Sequence, residues 1–193
     1  MKKSVLFILS VLFLACENKE EFSAATVEGL SELPATAVKE PYASNPDLVK
    51  VTINQVSGAK QFEGDYLNGR KHGSWTEFSS DGLVKSVTSY IDGVRQGSYV
   101  ELDNRGQLLT SAYYHDDELH GHWKQYLRTK VKEERVYVNG KLEGMVKIYY
   151  NNGNIMEEGS YANGIRDGLS RWYDEEGNVS IEYEYNAGEL VEK

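Results

Sequence analysis

A chain of 193 residues has room for one domain of ordinary size, and 40% hydrophobic with 26% charged residues is a composition that folds. A formal net charge of -9 repels phosphate backbones and anionic lipid alike. That sets aside nucleic acid as a partner and electrostatic adhesion to a bilayer. Eighteen glycines and 14 tyrosines, against three methionines and three prolines, favour turns and strands over helices. Glycine supplies positive φ, and tyrosine suits a half-exposed pleated surface.

The amino terminus reads as a processing signal. Met1-Lys2-Lys3 is a short cationic start, and the apolar run from Val5 to Ala15 is too short to span a bilayer but fits a secretory core. The run ends Phe13-Leu14-Ala15-Cys16, which resembles the lipobox of bacterial lipoproteins, with Phe13 where leucine is usual. The resemblance implies cleavage after residue 15 and acylation of Cys16. The single cysteine leaves none for an internal disulfide. Removing Lys2 and Lys3 leaves 19 basic against 30 acidic residues, a net of -11. The next residues, Glu17-Asn18-Lys19-Glu20-Glu21, resemble the lysine-acidic export signal of some surface lipoproteins. The same stretch reads equally as the solvated start of a linker, so the expected location is the cell envelope, lipid-anchored to the outer membrane, with the cell surface as one alternative.

Residues 16–48 show no sustained period and hold Pro34, Pro41 and Pro46. They are expected to be a disordered tether. Its reach is roughly 30 Å root-mean-square, from ~5–6 Å × √n for a flexible chain.

The remainder, residues 49–193, repeats. Anchor tyrosines 66, 90, 114, 137 and 161 each open a repeat, residues 49–65 form a half-repeat before them, and a truncated copy starts at Tyr185. The spacings are 24, 24, 23, 24 and 24 residues, a regularity that precedes any reading of motifs. Counting the anchor tyrosine as slot 1, slots 3 and 4 hold Asn-Gly or Asp-Gly in most copies, slot 8 holds glycine, and slot 17 holds a second turn glycine. Asn-Gly pairs favour tight hairpins. Each repeat is thus two antiparallel strands. The fold class is all-β, an elongated single-layer antiparallel meander of stacked hairpins. In the third copy Asp117 replaces the turn glycine, Lys130 takes slot 17, and one residue is missing, so an irregular turn and a local bend are expected there.

Slot 10 holds Trp75, Tyr99, Trp123, Val146 and Ser170, and slot 13 holds Phe78, Leu102, Tyr126, Tyr149 and Tyr173. A first turn over residues 68–73 would set Tyr66 across from Trp75 as an aromatic cross-strand pair. Equivalent slots recur at roughly 9–10 Å, twice the ~4.8 Å strand spacing, so an elongated row of rings is expected. Those rings either pack hairpins together or form a groove for a protein segment or a glycan. The residues expected to touch a partner are Trp75, Tyr99, Trp123 and Tyr126. Charged residues occur at both strand parities, as in Lys132-Glu133-Glu134-Arg135, so neither face is a thick dry core and stability comes from neighbouring repeats.

The pattern Tyr-x-Asn-Gly-x-x-x-Gly-x-Trp-x-x-Tyr/Phe-x-x-x-Gly resembles the MORN (membrane occupation and recognition nexus) repeat variant over about residues 62–193. The resemblance implies a single twisted sheet of hairpins used for protein contacts and scaffolding. Some bacterial members of the family carry an antitoxin label, which sits poorly with a signal peptide and lipobox.

Chemical motifs are sparse. His115, His120 and His122, with Asp116, Asp117 and Glu118 nearby, could hold Zn²⁺ or Ni²⁺. The alternative is that His120 shares the repeat slot of His72. There is no nucleophile elbow, phosphate loop or His-Glu-x-x-His motif, and an open sheet lacks the enclosed pocket that tunes acid–base groups. The expectation is a binding protein without cofactor, not an enzyme. Its first reading is a membrane-anchored protein-interaction or scaffold module of the bacterial cell envelope, with a protein partner. The alternatives are an antitoxin or immunity-like neutraliser of a partner protein, and a carbohydrate-binding accessory lipoprotein.

Overall fold

A computed structural model describes residues 33–192, and the signal segment and Cys16 lie outside the described residues. The described chain is one antiparallel sheet of 16 strands, almost all joined to their sequence neighbours as hairpins, with no helix among the described residues. This is the meander that the glycine spacing predicts.

In each repeat opened by an anchor tyrosine, one hairpin turn is a two-residue turn in which both residues have positive φ. Asn68 and Gly69 stand at 51° and 77°, Asp92 and Gly93 at 53° and 87°, Asn163 and Gly164 at 54° and 86°. That geometry matches the twist of the flanking strands and selects asparagine, aspartate and glycine. The turns also stack. The second turn residue donates its N–H to the slot-6 carbonyl of the preceding repeat: Gly93 to Lys71 (2.8 Å), Gly140 to Leu119 (2.9 Å), Gly164 to Leu142 (2.9 Å) and Gly188 to Arg166 (2.8 Å). Each repeat is therefore hydrogen-bonded to the one before it outside the strand ladder, as nearest-neighbour stability requires.

Three expectations need correction. The turn at Asp116-Asp117 is not irregular. Both residues take positive φ, 50° and 64°, and Asp117 N–H donates to the Arg95 carbonyl (3.1 Å) as the glycines do. The cost of a side chain there is offset by Asp117 Oδ1, which accepts from Arg95 N (2.9 Å) and Nε (3.1 Å). The missing residue of that repeat shortens its other turn instead, where Leu127 pairs directly with Lys130. Second, ordered structure begins before residue 49: Val38–Tyr42 and Asn45–Asn54 are paired strands. Pro41 is tolerated because its strand is the exposed edge, where a missing donor costs the ladder nothing. Third, the turn is shorter than residues 68–73, so the residue opposite Tyr66 is Lys71, and a register shift between Glu63 and Asp65 brings Trp75 near Tyr66 diagonally.

Candidate interaction surface

Strand parity divides the sheet into two faces. One carries a transverse row formed by the residue two places before each anchor tyrosine and by slot 10. Val51 pairs with Gly64, Trp75 with Thr88, Thr88 with Tyr99, Tyr99 with Ala112, and Trp123 with Arg135. The row continues through Val146, Gly159 and Ser170 to Tyr183. We call this the tryptophan face.

Its exposure varies along the row. Val51, Tyr66, Trp75 and Tyr90 are buried at one end and Val146 and Ser170 further along, whereas Tyr99 and Trp123 between them are half-buried and Tyr183 is exposed. Trp75 is held on every side. Its Nε1 donates to the Asp65 carbonyl (2.9 Å), its ring meets Tyr66 edge-on at 5.3 Å, and Lys71 Nζ lies 5.0 Å from the ring centroid. The indole covers Gly64 so closely that a Cβ there would lie 2.5 Å from Trp75 Cδ2. Trp123 faces Ala112 and Arg135 instead, with the Arg135 guanidinium 5.0 Å above its ring. Tyr99 meets Tyr114 edge-on at 6.0 Å, and burial together with the nearby Glu101 carboxylate pushes its phenol up to about 12.

Cations thread between the rings at slot 6, a feature the sequence reading missed. Lys71 lies 4.7 Å from the Tyr90 centroid, and Arg95 lies 4.3 Å from that of Tyr114. Arg166 stands 5.3, 5.4 and 5.8 Å from Tyr161, Trp172 and Tyr185 and also bonds Glu157 and Ser170. Such contacts contribute about 0.5–1 kcal/mol each at exposed sites. The recurrence of a cation five residues after the tyrosine was the available signal.

Of the four expected contact residues, the structure brings Tyr99 and Trp123 together on a partly open surface and buries Trp75 beside them. Tyr126 is not with them. Three residues beyond Trp123 on the same regular strand, it points to the opposite face, where its hydroxyl is 3.3 Å from Ser111 Oγ. The row of rings is two rows on two faces, because an odd offset in a strand reverses the side.

On the opposite face runs a charge ladder. Lys124 pairs with Glu134, Glu134 with Lys147, Lys147 with Glu158, Glu158 with Arg171, and Arg171 with Glu182. Lys124 Nζ is 2.7 Å from Glu134, and Arg171 is 2.7 Å from Glu182 and 3.6 Å from Glu158. Tyrosine hydroxyls donate into the ladder, Tyr149 to Glu134 (3.0 Å) and Tyr173 to Glu158 (2.6 Å). The Lys124 ammonium, helped by Tyr149, holds the Glu134 carboxyl below its ordinary range against the pull of burial. In turn, burial and the Glu134 hydrogen bond push the Tyr149 phenol up to about 12.

The histidines have structural neighbours. The slot-7 side chain caps the next turn: Gln96 accepts from Asp116 N (3.2 Å), Glu143 from Asn163 N (2.8 Å) and Asp167 from Ala187 N (3.1 Å). His120 sits in that slot, with Nδ1 3.5 Å from Asn139 N and 3.3 Å from Asn139 Oδ1. His115 lies edge-on to it at 5.6 Å, while His122 pairs across from Val136. Among the described residues no group of three or more His, Cys, Asp or Glu side chains is arranged to hold a metal ion.

The family model of the MORN repeat variant matches residues 142–163 and 166–187. These hairpins resemble MORN-variant repeats. The MORN-like turn, tyrosine and slot-8 glycine recur in the preceding copies in the same register, outside the matched residues. No curated protein is significantly similar to the chain. Among solved structures, a crystal structure of accessory secretory protein 1, 2 and 3 in Streptococcus pneumoniae is 13% identical over 73% of this chain. The match spans 19% of that chain at a TM-score of 0.19.

Proposed function

We propose that this protein is a membrane-anchored protein-interaction module of the bacterial cell envelope that binds its partner on the tryptophan face and does not catalyse a reaction. The observation that carries the reading is the half-buried stretch from Tyr99 to Trp123, where rings and guanidinium groups are held in fixed orientation on a single-layer sheet. Aromatic and arginine side chains restrained in this way lose little entropy on binding and dominate protein interfaces. The MORN-like repeats at residues 142–187 support an interaction module. Anchoring rests on the lipobox-like Ala15-Cys16.

The test uses a photo-crosslinking residue in place of Tyr99 in living cells, with mass spectrometry of the captured protein. Binding of that protein should weaken roughly tenfold for Trp123→Ala, about 1.4 kcal/mol. Tyr126→Ala, on the other face, should leave it unchanged. Equal losses from both variants, or a loss matched by a drop in melting temperature, would remove the tryptophan face from the account.

A further inference from the structure

The charge ladder alternates strictly over six adjacent strands: Lys124, Glu134, Lys147, Glu158, Arg171, Glu182. Two residues away along the strands, on the same face, Met145 and Leu169 are exposed at 40% and 39%, among His122, Val136, Ser160 and Glu184. On the ladder's other side stand Tyr126, Tyr149 and Tyr173, two of them donating into it. The alternating charges are thus flanked by a mixed row on one side and by tyrosines on every second strand of the other, with Lys147 between two carboxylates in register.

We propose that this face docks a second copy of the chain, about a twofold axis parallel to the strands that passes between Lys147 and Glu158. The argument is charge complementarity under symmetry. A twofold contact places each surface patch against itself reversed. An alternating row of six, reversed, sets every cation on a carboxylate: Lys124 meets Glu182 of the other copy, Glu134 meets Arg171, and Lys147 meets Glu158. Because the operation reverses the strand order, it also sets Tyr126, Tyr149 and Tyr173 over the strands of Val179, Ile155 and Val131 at the same level. A twofold axis running across the strands would instead set lysine on lysine and glutamate on glutamate, so only one orientation is allowed. An alternating ladder does not repel its own image, whereas the chain's net charge of -9 opposes indiscriminate self-contact.

Area sets the strength. Six strands at ~4.8 Å and five residues at ~3.4 Å cover about 500 Å² per copy, below the ~800 Å² of a standard stable interface. The dimer is therefore weak, and charge pairing fixes its orientation more than its affinity. It leaves the tryptophan face open and does not depend on what that face binds.

The experiment uses the full chain in a mild non-ionic detergent, with sedimentation velocity over a range of concentrations and two charge reversals, Lys147→Glu and Glu158→Lys. Each reversal alone sets two like pairs across the axis, so each protein should self-associate at least tenfold more weakly than wild type. Mixed in equal amounts, the two variants present opposite charges at both central pairs, and the mixture should regain association to within about threefold of wild type. Raising salt should weaken the wild-type dimer. The melting temperature of each variant reports damage within the sheet, and if Glu158→Lys melts early, Arg171→Glu against Glu134→Lys repeats the comparison at the next pair of the ladder. A wild type that stays monomeric, single variants that associate like wild type, or a mixture that associates no better than its components would each overturn the proposal. Contacts within one chain cannot produce recovery on mixing.

Discussion

Gly64→Ala probes the packing of the first hairpin with the smallest possible perturbation. Gly64 does not have positive φ, so alanine meets no backbone strain and the effect is steric alone. The added Cβ would stand 2.5 Å from Trp75 Cδ2 and 2.6 Å from Cε2 and Cγ, well inside contact distance. If the buried indole stays, overpacking costs about 1–3 kcal/mol. If it swings away, it loses the Nε1 bond to Asp65, worth about 1 kcal/mol, and the edge contact with Tyr66, about 0.5–1.5 kcal/mol. Either route costs about 2 kcal/mol, offset by ~0.5 kcal/mol from a stiffer unfolded chain, for a net loss of about 1.5 kcal/mol. The control is in the same protein. Gly159→Ala would meet Ser170 Oγ at 2.9 Å and Arg166 Nη1 at 3.1 Å, polar side-chain ends rather than a buried ring, so its cost should be about 1 kcal/mol, that of the Arg166–Ser170 hydrogen bond it displaces. Urea unfolding followed by circular dichroism and tryptophan fluorescence measures both, and a red-shifted emission in the folded state would mark the swung-out ring. Ala112 already holds the matching position opposite the half-exposed Trp123, which is the arrangement Gly64→Ala should reproduce. Gly64→Ala as stable as wild type, or no worse than Gly159→Ala, would refute the packing argument.

Acid and alkali should each weaken the sheet. The carboxyls of Glu134 and Glu63 are depressed, chiefly by hydrogen bonds from Lys124 and Lys60, so their stabilisation is complete above the ordinary glutamate range and is lost as pH falls through the folded values. Tyr99 and Tyr149 are raised to about 12, so their stabilisation is complete below pH 10 and is lost between 10 and 12. Unfolding midpoints that stay flat across both windows would contradict these assignments. Asp117→Ala should cost about 1–2 kcal/mol, since it removes both acceptor contacts to Arg95 and leaves a side chain at positive φ. Asp117→Gly, which relieves the backbone, should cost measurably less in the same melts, and equal costs would show that φ strain is not involved. Cys16→Ala should shift the protein from the membrane fraction to the soluble fraction, or leave the uncleaved precursor. Wild-type protein carrying an unmodified thiol would end the lipoprotein reading.

The sequence by itself determined the period, the hairpins and the all-β class. The causes are local: asparagine, aspartate and glycine at slots 3 and 4 set positive φ whatever surrounds them. It also contained the separation of Trp123 from Tyr126, since a three-residue offset within one strand reverses the face. Tertiary structure decided what depends on two strands at once. Asp117 looked like a defect because its compensation comes from Arg95, 22 residues earlier. Pro41 read as a breaker because nothing local says that its strand is an edge. The neighbours of His120 in the next repeat, and the Gly64 that Trp75 covers from the adjacent strand, are likewise set by register. In each case register brings together residues distant in the chain, and register is set by the whole ladder of neighbouring strands.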